Sequence, residues 1–194
     1  IKLATNADEA SQLAADMEFP VVLKIASDKI LHKSDIGGVK VGIESEEEAK
    51  ATFDEIIANA KKAHPDIVPD GVEVQKMMET GQEVIVGMIK DKQFGPMIAF
   101  GMGGIYVNLI EDVSFKLANG ISSQEIDEQI NDTKVSELLK GYRGEAPCDI
   151  DAVKEAIKRV ARLTLDFPEI SELDINPIFV YENGSSALDI KIKL

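Results

Sequence analysis

The sequence predicts an α+β fold, and three observations carry that prediction. Two amphipathic segments open on capping boxes, Asn6 with Glu9 and Ser45 with Glu48, which mark helix starts. Runs of β-branched and apolar residues in period two lie between and after them, bounded by Gly, Pro, Asn and Asp. Helical and strand patterns interleave without the regular strand–helix–strand repeat of a parallel sheet.

The elements follow in order. Ala10, Leu13, Ala14 and Met17 line a first helix that stops before Phe19-Pro20. A strand Val21–Ala26, a loop 27–38 and a strand Val39–Ile43 come next, then a helix with Ala49, Phe53, Ile56, Ile57 and Ala60 inward. Three strand-like runs, 72–77, 83–89 and 96–100, are separated by Thr80-Gly81 and by 91–95, the spacing of an antiparallel meander. Gly101-Met102-Gly103-Gly104 interrupts the apolar pattern before a run 105–110, and 113–117 reads as a further strand. Short helices over 123–131 and 133–139 precede the loop 141–148. A longer helix over 151–165 carries Val153, Ile157, Val160, Ala161 and Thr164 on one side and is closed by Pro168. A strand 173–181, an Asn183-Gly184 turn and a strand 187–192 complete the chain.

Composition narrows the function. At 194 residues with 44% hydrophobic content, the chain can bury a real core as one domain or two small lobes. A net charge of −14 argues against nucleic-acid or anionic-membrane binding, both of which need clustered Lys and Arg. One cysteine, Cys148, excludes an intrachain disulfide and a multi-cysteine metal site, and suits a cytoplasmic location. No apolar run reaches the roughly 18 residues of a membrane span, and no signal peptide is recognisable. The chain opens on Ile1-Lys2-Leu3 without an initiator Met, as a processed product or fragment would.

An acidic chain that binds phosphates must concentrate positive charge locally, and Lys24, Lys29, Lys33 and Lys40 cluster within VVLKIASDKILHKSDIGGVKVGI. Alternation along 21–26 puts Val21, Leu23 and Ile25 on one face and Val22, Lys24 and Ala26 on the other. An ammonium among small apolar groups suits a phosphate in a cleft; an edge-strand lysine is the plainer alternative. The loop HKSDIGG is neither a Walker A motif nor a GxGxxG fingerprint, since it joins two strands. Gly37-Gly38 would let backbone N–H groups approach a phosphate. Beside them His32 is either a structural histidine or a phosphoryl acceptor, for which neutral imidazole is competent.

In ELDINP the period of two places Glu172, Asp174 and Asn176 on one face and Leu173, Ile175 and Pro177 on the other. With Asp189 on the next strand, these oxygen donors suit a Mg²⁺ that keeps waters and phosphate oxygens, or simply a wet sheet face. Glu83 is placed to accept from ribose hydroxyls. The six methionines, several around Lys76-Met77-Met78 and Gly101-Met102, suit core or adenine-pocket filling.

Taken together, VVLKIASDKILHKSDIGGVKVGI, GVEVQKMMETGQEVIVGMIKDKQFGPMIAFGMGGIYV, GYRGEAP and ELDINPIFVYENGSSALDIKI resemble the ATP-grasp domain of the ADP-forming acetate–CoA ligases. The succinyl-CoA synthetase β subunit is a more distant relative. The resemblance covers nearly the whole chain. It implies an N-terminally shortened ATP-grasp fold of two α+β lobes, about 1–74 and 75–194, with ATP or ADP and Mg²⁺ between them. Lys24 would meet the phosphates, Gly37 and Gly38 would close over them, the backbone around Gln75 and Met77 would read adenine, and Glu83 would hold the ribose. Asn176 and Asp189 would ligate Mg²⁺.

The resemblance further implies that CoA and acyl chemistry sit on a separate α subunit or domain, so that a hetero-oligomer is expected. His32 would be the second phosphoryl carrier of a histidine relay, with Asp174 positioning the incoming phosphohistidine. Two positions depart from the family: Lys116 stands where an arginine is usual, and Asp189-Ile190-Lys191 replaces a DAR-like ending. Each loses a bidentate fork. A sensing domain of a fused protein acetyltransferase is the alternative function. A carboxylate–amine ligase of the wider ATP-grasp group is a third, but such enzymes need no flap histidine.

Overall fold

The structure, a computed structural model, describes residues 1–30, 33–104 and 112–194. His32 and the expected strand over 105–110 lie outside the described residues. The chain divides into two compact units, Ile1–Glu79 and Thr80–Leu194.

In the first unit, strands β1 (Lys2–Ala4), β2 (Val21–Ala26), β3 (Val39–Ile43) and β4 (Gly71–Lys76) form an antiparallel sheet in the order β1-β4-β2-β3. Helices α1 (Ala7–Asp16) and α2 (Glu46–Ala63) cover one face of it. Both begin as their sequences dictate, with Asn6 Oδ1 accepting from the Glu9 N–H at 2.9 Å and Ser45 Oγ from the Glu48 N–H at 3.2 Å. Val21, Leu23, Ile25, Val72 and Val74 from the sheet meet Ala10, Ala14, Phe53 and Ile56 from the helices. Fully burying a large aliphatic side chain such as Leu23 contributes about 1.5–3 kcal/mol. β1 is too short to show alternation and is absent from the sequence reading.

The second unit holds β5 (Gln82–Asp91), β6 (Gly95–Met102), β7 (Val113–Leu117), β8 (Glu172–Val180) and β10 (Ile190–Lys193) in the order β10-β8-β5-β6-β7, with β9 (Ser185–Ala187) beside β8. α3 (Ser123–Asn131), α4 (Val135–Leu139) and α5 (Ile150–Asp166) supply the helical layer. Val84, Val86, Met88, Ile98 and Phe100 face it, packed with Ile126, Leu139, Ile157 and Val160. Gln129 of α3 is fully buried, and its Nε2 donates to Ile98 O and Ser114 O at 2.8 and 3.0 Å, pinning the helix to β6 and β7. Asp112 caps α4 by accepting from the Lys134 and Val135 N–H groups.

Two expectations are corrected. The meander of three runs does not form: β4 pairs with β1 and β2, and only β5 and β6 make a hairpin. The second of the two connections, 91–95, is a true reversal, in which Asp91 Oδ1 accepts from the Gln93 and Phe94 N–H groups. Thr80-Gly81 instead leads out of the first sheet. The expected last strand, 187–192, is broken at Leu188-Asp189 into β9 and β10. Among the described residues no helix is long and apolar enough to cross a membrane.

Candidate functional site

Each sheet has one face under helices and one facing away from them, and the sequence-predicted residues sort onto these faces. In the first unit Val21, Leu23 and Ile25 enter the core, so Lys24 projects from the other side of β2 with Val22 and Ala26, as the alternation predicts. Its register partners are Val39 on β3 and Glu73 on β4. Lys33 Nζ lies 3.7 Å from Glu73 Oε2, so the strand opposite Lys24 brings a carboxylate that also holds Lys33. Sequence reasoning missed Glu73, although GVEVQK alternates and puts Glu73 and Gln75 on this face. Gln75 Oε1 is buried there and has no hydrogen-bond partner. The local cluster is smaller than its spacing suggests, because Lys40 is spent on Glu55 of α2 at 2.7 Å.

Gly37 and Gly38 lie where the loop turns tightly. Gly37 has φ +67° and its N–H donates to Ser34 O; the Gly38 N–H donates to Lys33 O at 2.8 Å. A Cβ on Gly38 would stand 2.8 Å from Ile25 Cγ2 and from Lys33 O, so only glycine fits. Both amides are engaged within the loop, and a phosphate would have to exchange with those bonds. At the end of β4 the Met77 N–H donates to Pro20 O, while Gln75 pairs with Val22. Antiparallel alternation therefore turns the Lys76 N–H and C=O to the opposite edge, beyond the last β1 pairing at Val74.

In the second unit the same sorting puts a row of the sequence-predicted residues on the face away from the helices. Val84, Val86 and Met88 are core, so Glu83 and Gly87 face the other way, and Gly87 is the register partner of Asp174. The β5–β8 register shifts between Val84 and Val86, and the buried set on β8 changes from Leu173 to Ile178 and Val180. This irregularity sits at Asn176-Pro177, where proline has no N–H to give the ladder. It also explains the break opposite: the Asn176 N–H donates to Asp189 O at 3.1 Å and the Leu188 N–H to Pro177 O at 3.0 Å. The backbones of Asn176 and Asp189, named as donors from separate strands, are thus hydrogen-bonded at this defect.

Glycines bring Glu83 to the same place. The Gly103 N–H donates to Glu83 O, and a Cβ there would stand 2.5 Å from the Val84 carbonyl. A Cβ on Gly104, at φ +82°, would collide with the Glu83 carboxylate, and the Gly104 N–H donates to Asn176 Oδ1 at 2.8 Å. Gly104 is therefore the shared neighbour of the expected ribose and metal residues, a role that the sequence pattern showed only as an interruption.

Asp174 completes the row. Its Oδ1 is buried without a hydrogen-bond partner. Burial raises its pKa above the ordinary aspartate value; Lys191, its register partner on β10, pulls the other way, and Asp189 and Glu172 add to the rise. Lys191 Nζ is 4.0 Å from Asp189 Oδ2, so one ammonium serves both carboxylates. Lys116 takes no part: it pairs with Glu128 of α3 at 3.2 Å, on the helix side. Among the described residues no group of three or more His, Cys, Asp or Glu is arranged to hold a metal by itself. Of the expected oxygen donors, Asn176 Oδ1 accepts from the Gly104 N–H, and Asp174 Oδ1 has no hydrogen-bond partner.

Known proteins share this organisation. The ATP-grasp domain family matches residues 1–194. The chain is 46% identical over 193 residues to the β subunit of acetate–CoA ligase [ADP-forming] I of Pyrococcus furiosus, covering 100% of this chain and 83% of that subunit. It is also 46% identical to the acetate–CoA ligase [ADP-forming] I of Archaeoglobus fulgidus, of whose length it spans 28%. The acetyl-coenzyme A synthetase 1 of Candidatus Korarchaeum cryptofilum, solved with coenzyme A, Ca-AMPCP and HgCl⁺, superposes with a TM-score of 0.95 at 42% identity, over 100% of this chain and 84% of that one. The chain is an ATP-grasp domain and belongs to the family of the β subunits and β regions of ADP-forming acetate–CoA ligases.

Proposed function

We propose that this chain is the nucleotide-binding part of an ADP-forming acyl-CoA synthetase, converting acyl-CoA, ADP and phosphate into carboxylic acid, CoA and ATP together with a CoA-binding α partner in the cytoplasm. The observation that carries the reading is the buried, partnerless Asp174 oxygen on β8, two residues from the irregularity where the Asn176 N–H bonds the Asp189 carbonyl. The similarity to a β subunit and to a structure holding coenzyme A and a nucleotide analogue supports it.

In this reading Lys24 meets phosphate oxygens as a point charge, and Gly37 and Gly38 shape the loop that covers them. Gln75 and Met77 line the adenine end of β4, and Glu83 accepts from the ribose hydroxyls. Asn176 and Asp189 hold Mg²⁺, which neutralises charge on the phosphate oxygens. Asp174 accepts from one imidazole nitrogen of a phosphohistidine, leaving the other to carry the phosphoryl group. His32 then takes that group and passes it to the ADP β-phosphate oxygen. Each transfer breaks one P–N bond and forms one P–N or P–O bond, so no redox partner is required.

ATP formation from acetyl-CoA, phosphate and ADP, followed with the α partner present, tests the reading. His32→Ala is expected to abolish it while ADP still binds the chain. Normal ATP yield from the variant would remove His32 from the relay.

A further inference from the structure

The motif GYRG, which the site does not use, forms a loop under unusual constraint. It joins α4 to α5, the helices of the second unit's helical layer. Gly141 has φ +91° and Gly144 φ +92°, and Arg143 between them takes φ +53°, ψ 32°. That left-handed conformation costs an L-residue with a Cβ free energy and is ordinarily given to Gly or Asn. Gly141 is also fixed by contact, since a Cβ there would stand 2.5 Å from Glu145 O.

The loop is pinned at both ends. The Gly141 N–H donates to Leu138 O, the Cys148 N–H to Leu139 O at 2.8 Å, and the Asp149 N–H to Tyr181 O at 2.7 Å. What it presents is an aromatic ring with a guanidinium above it: Arg143 Cζ lies 5.2 Å from the Tyr142 ring centre, and both residues are exposed. The sequence holds three arginines. Arg159 and Arg162 are paired with Glu155 and Asp166 along α5, whereas Arg143 makes no ion pair among the described residues. In a chain of net charge −14, the arginine that has no carboxylate partner among the described residues is thus held on a strained backbone and braced by cation–π contact.

We infer that Tyr142 and Arg143 form a contact point for the CoA-binding α partner, with Arg143 receiving a carboxylate of that partner in a two-point hydrogen bond. An exposed Tyr and Arg on a rigid mount have the chemistry of an interface anchor: large area, little entropy left to lose, and a planar fork matched to a carboxylate. The inference rests on the α/β reading above.

Arg143→Gly tests it cleanly, because glycine removes the guanidinium while relaxing the left-handed backbone. The readouts are the dissociation constant of the complex with the α partner, by sedimentation or calorimetry, and ADP affinity and unfolding midpoint of the chain. Arg143→Gly is expected to weaken assembly about tenfold or more, with ADP affinity unchanged and the midpoint unchanged or raised. Arg143→Lys restores little, since an ammonium cannot make the two-point contact, and Tyr142→Ala weakens assembly in the same direction. Wild-type assembly by Arg143→Gly overturns the inference. If wild type and α partner do not assemble at all, the α/β reading falls and this inference with it.

Discussion

Gly104 shows how a residue without a side chain can govern two that have them. Its N–H holds the Asn176 carboxamide, and its missing Cβ makes room for the Glu83 carboxylate. Gly104→Ala therefore strains a φ of +82° and pushes Glu83 aside at once. Stability is expected to fall by more than about 1 kcal/mol, and ADP affinity by about tenfold or more through loss of a charged hydrogen bond. Gly95→Ala is the control: φ is +78°, but nothing lies within 4 Å of the added Cβ. It should lose stability and keep ADP affinity, by chemical denaturation and calorimetry respectively. Equal affinity losses in both variants would mean that Gly104 acts through backbone strain alone.

At the scale of elements, the second unit depends on how its last helix and last hairpin are tied. Asp149 caps α5 through the Ala152 N–H at 2.9 Å and holds the Asn183-Gly184 turn through the Gly184 N–H at 2.8 Å. Those backbone donors lower its pKa below the ordinary aspartate value. The folded-state pKa lies under the unfolded one, so the carboxylate stabilises fully above the unfolded value, and the contribution is lost as pH falls through the folded value. Asp149→Ala is expected to lower the unfolding midpoint near neutral pH, with the gap from wild type closing at strongly acidic pH. A gap independent of pH would show that the carboxylate charge is not what holds the turn. Local signals of this kind were legible in the sequence: the caps at Asn6 and Ser45, the sides of β2, and the Asn183-Gly184 reversal all depend on a few consecutive residues. The membership of β4 in the first sheet was not legible, because strand partners are chosen by long-range packing that Thr80-Gly81 does not encode. Nor was the irregularity at Asn176-Pro177, which changes which side of β8 is buried and breaks the strand opposite it. The oxygen donors could be named from ELDINP, but the pairing of β8 with its neighbours is tertiary.

At the scale of the whole molecule, charge and length set what the chain can do by itself. Thirty-five acidic against 21 basic residues leave a strongly negative surface, and self-repulsion of that size favours solubility over association with phosphate polymers. Anion binding then depends on a few placed cations, of which Lys24 and Lys33 stand next to Glu73. The chain spans 83% of a separate β subunit but 28% of a single-chain relative, and in the proposed reaction the acyl-CoA half would fall to the rest of the assembly. The isolated chain is accordingly expected to bind Mg²⁺·ADP and to release no CoA from acetyl-CoA in the presence of phosphate and ADP. Adding the α partner should start both CoA release and ATP formation, in equal amounts, because one phosphoryl group is passed on for each thioester cleaved. Calorimetry measures the first expectation, and thiol titration alongside ATP assay the second. CoA release by the isolated chain would place acyl chemistry within these 194 residues and overturn the division of labour. CoA release without matching ATP in the complex would break the relay at His32 or Asp174, leaving nucleotide binding intact.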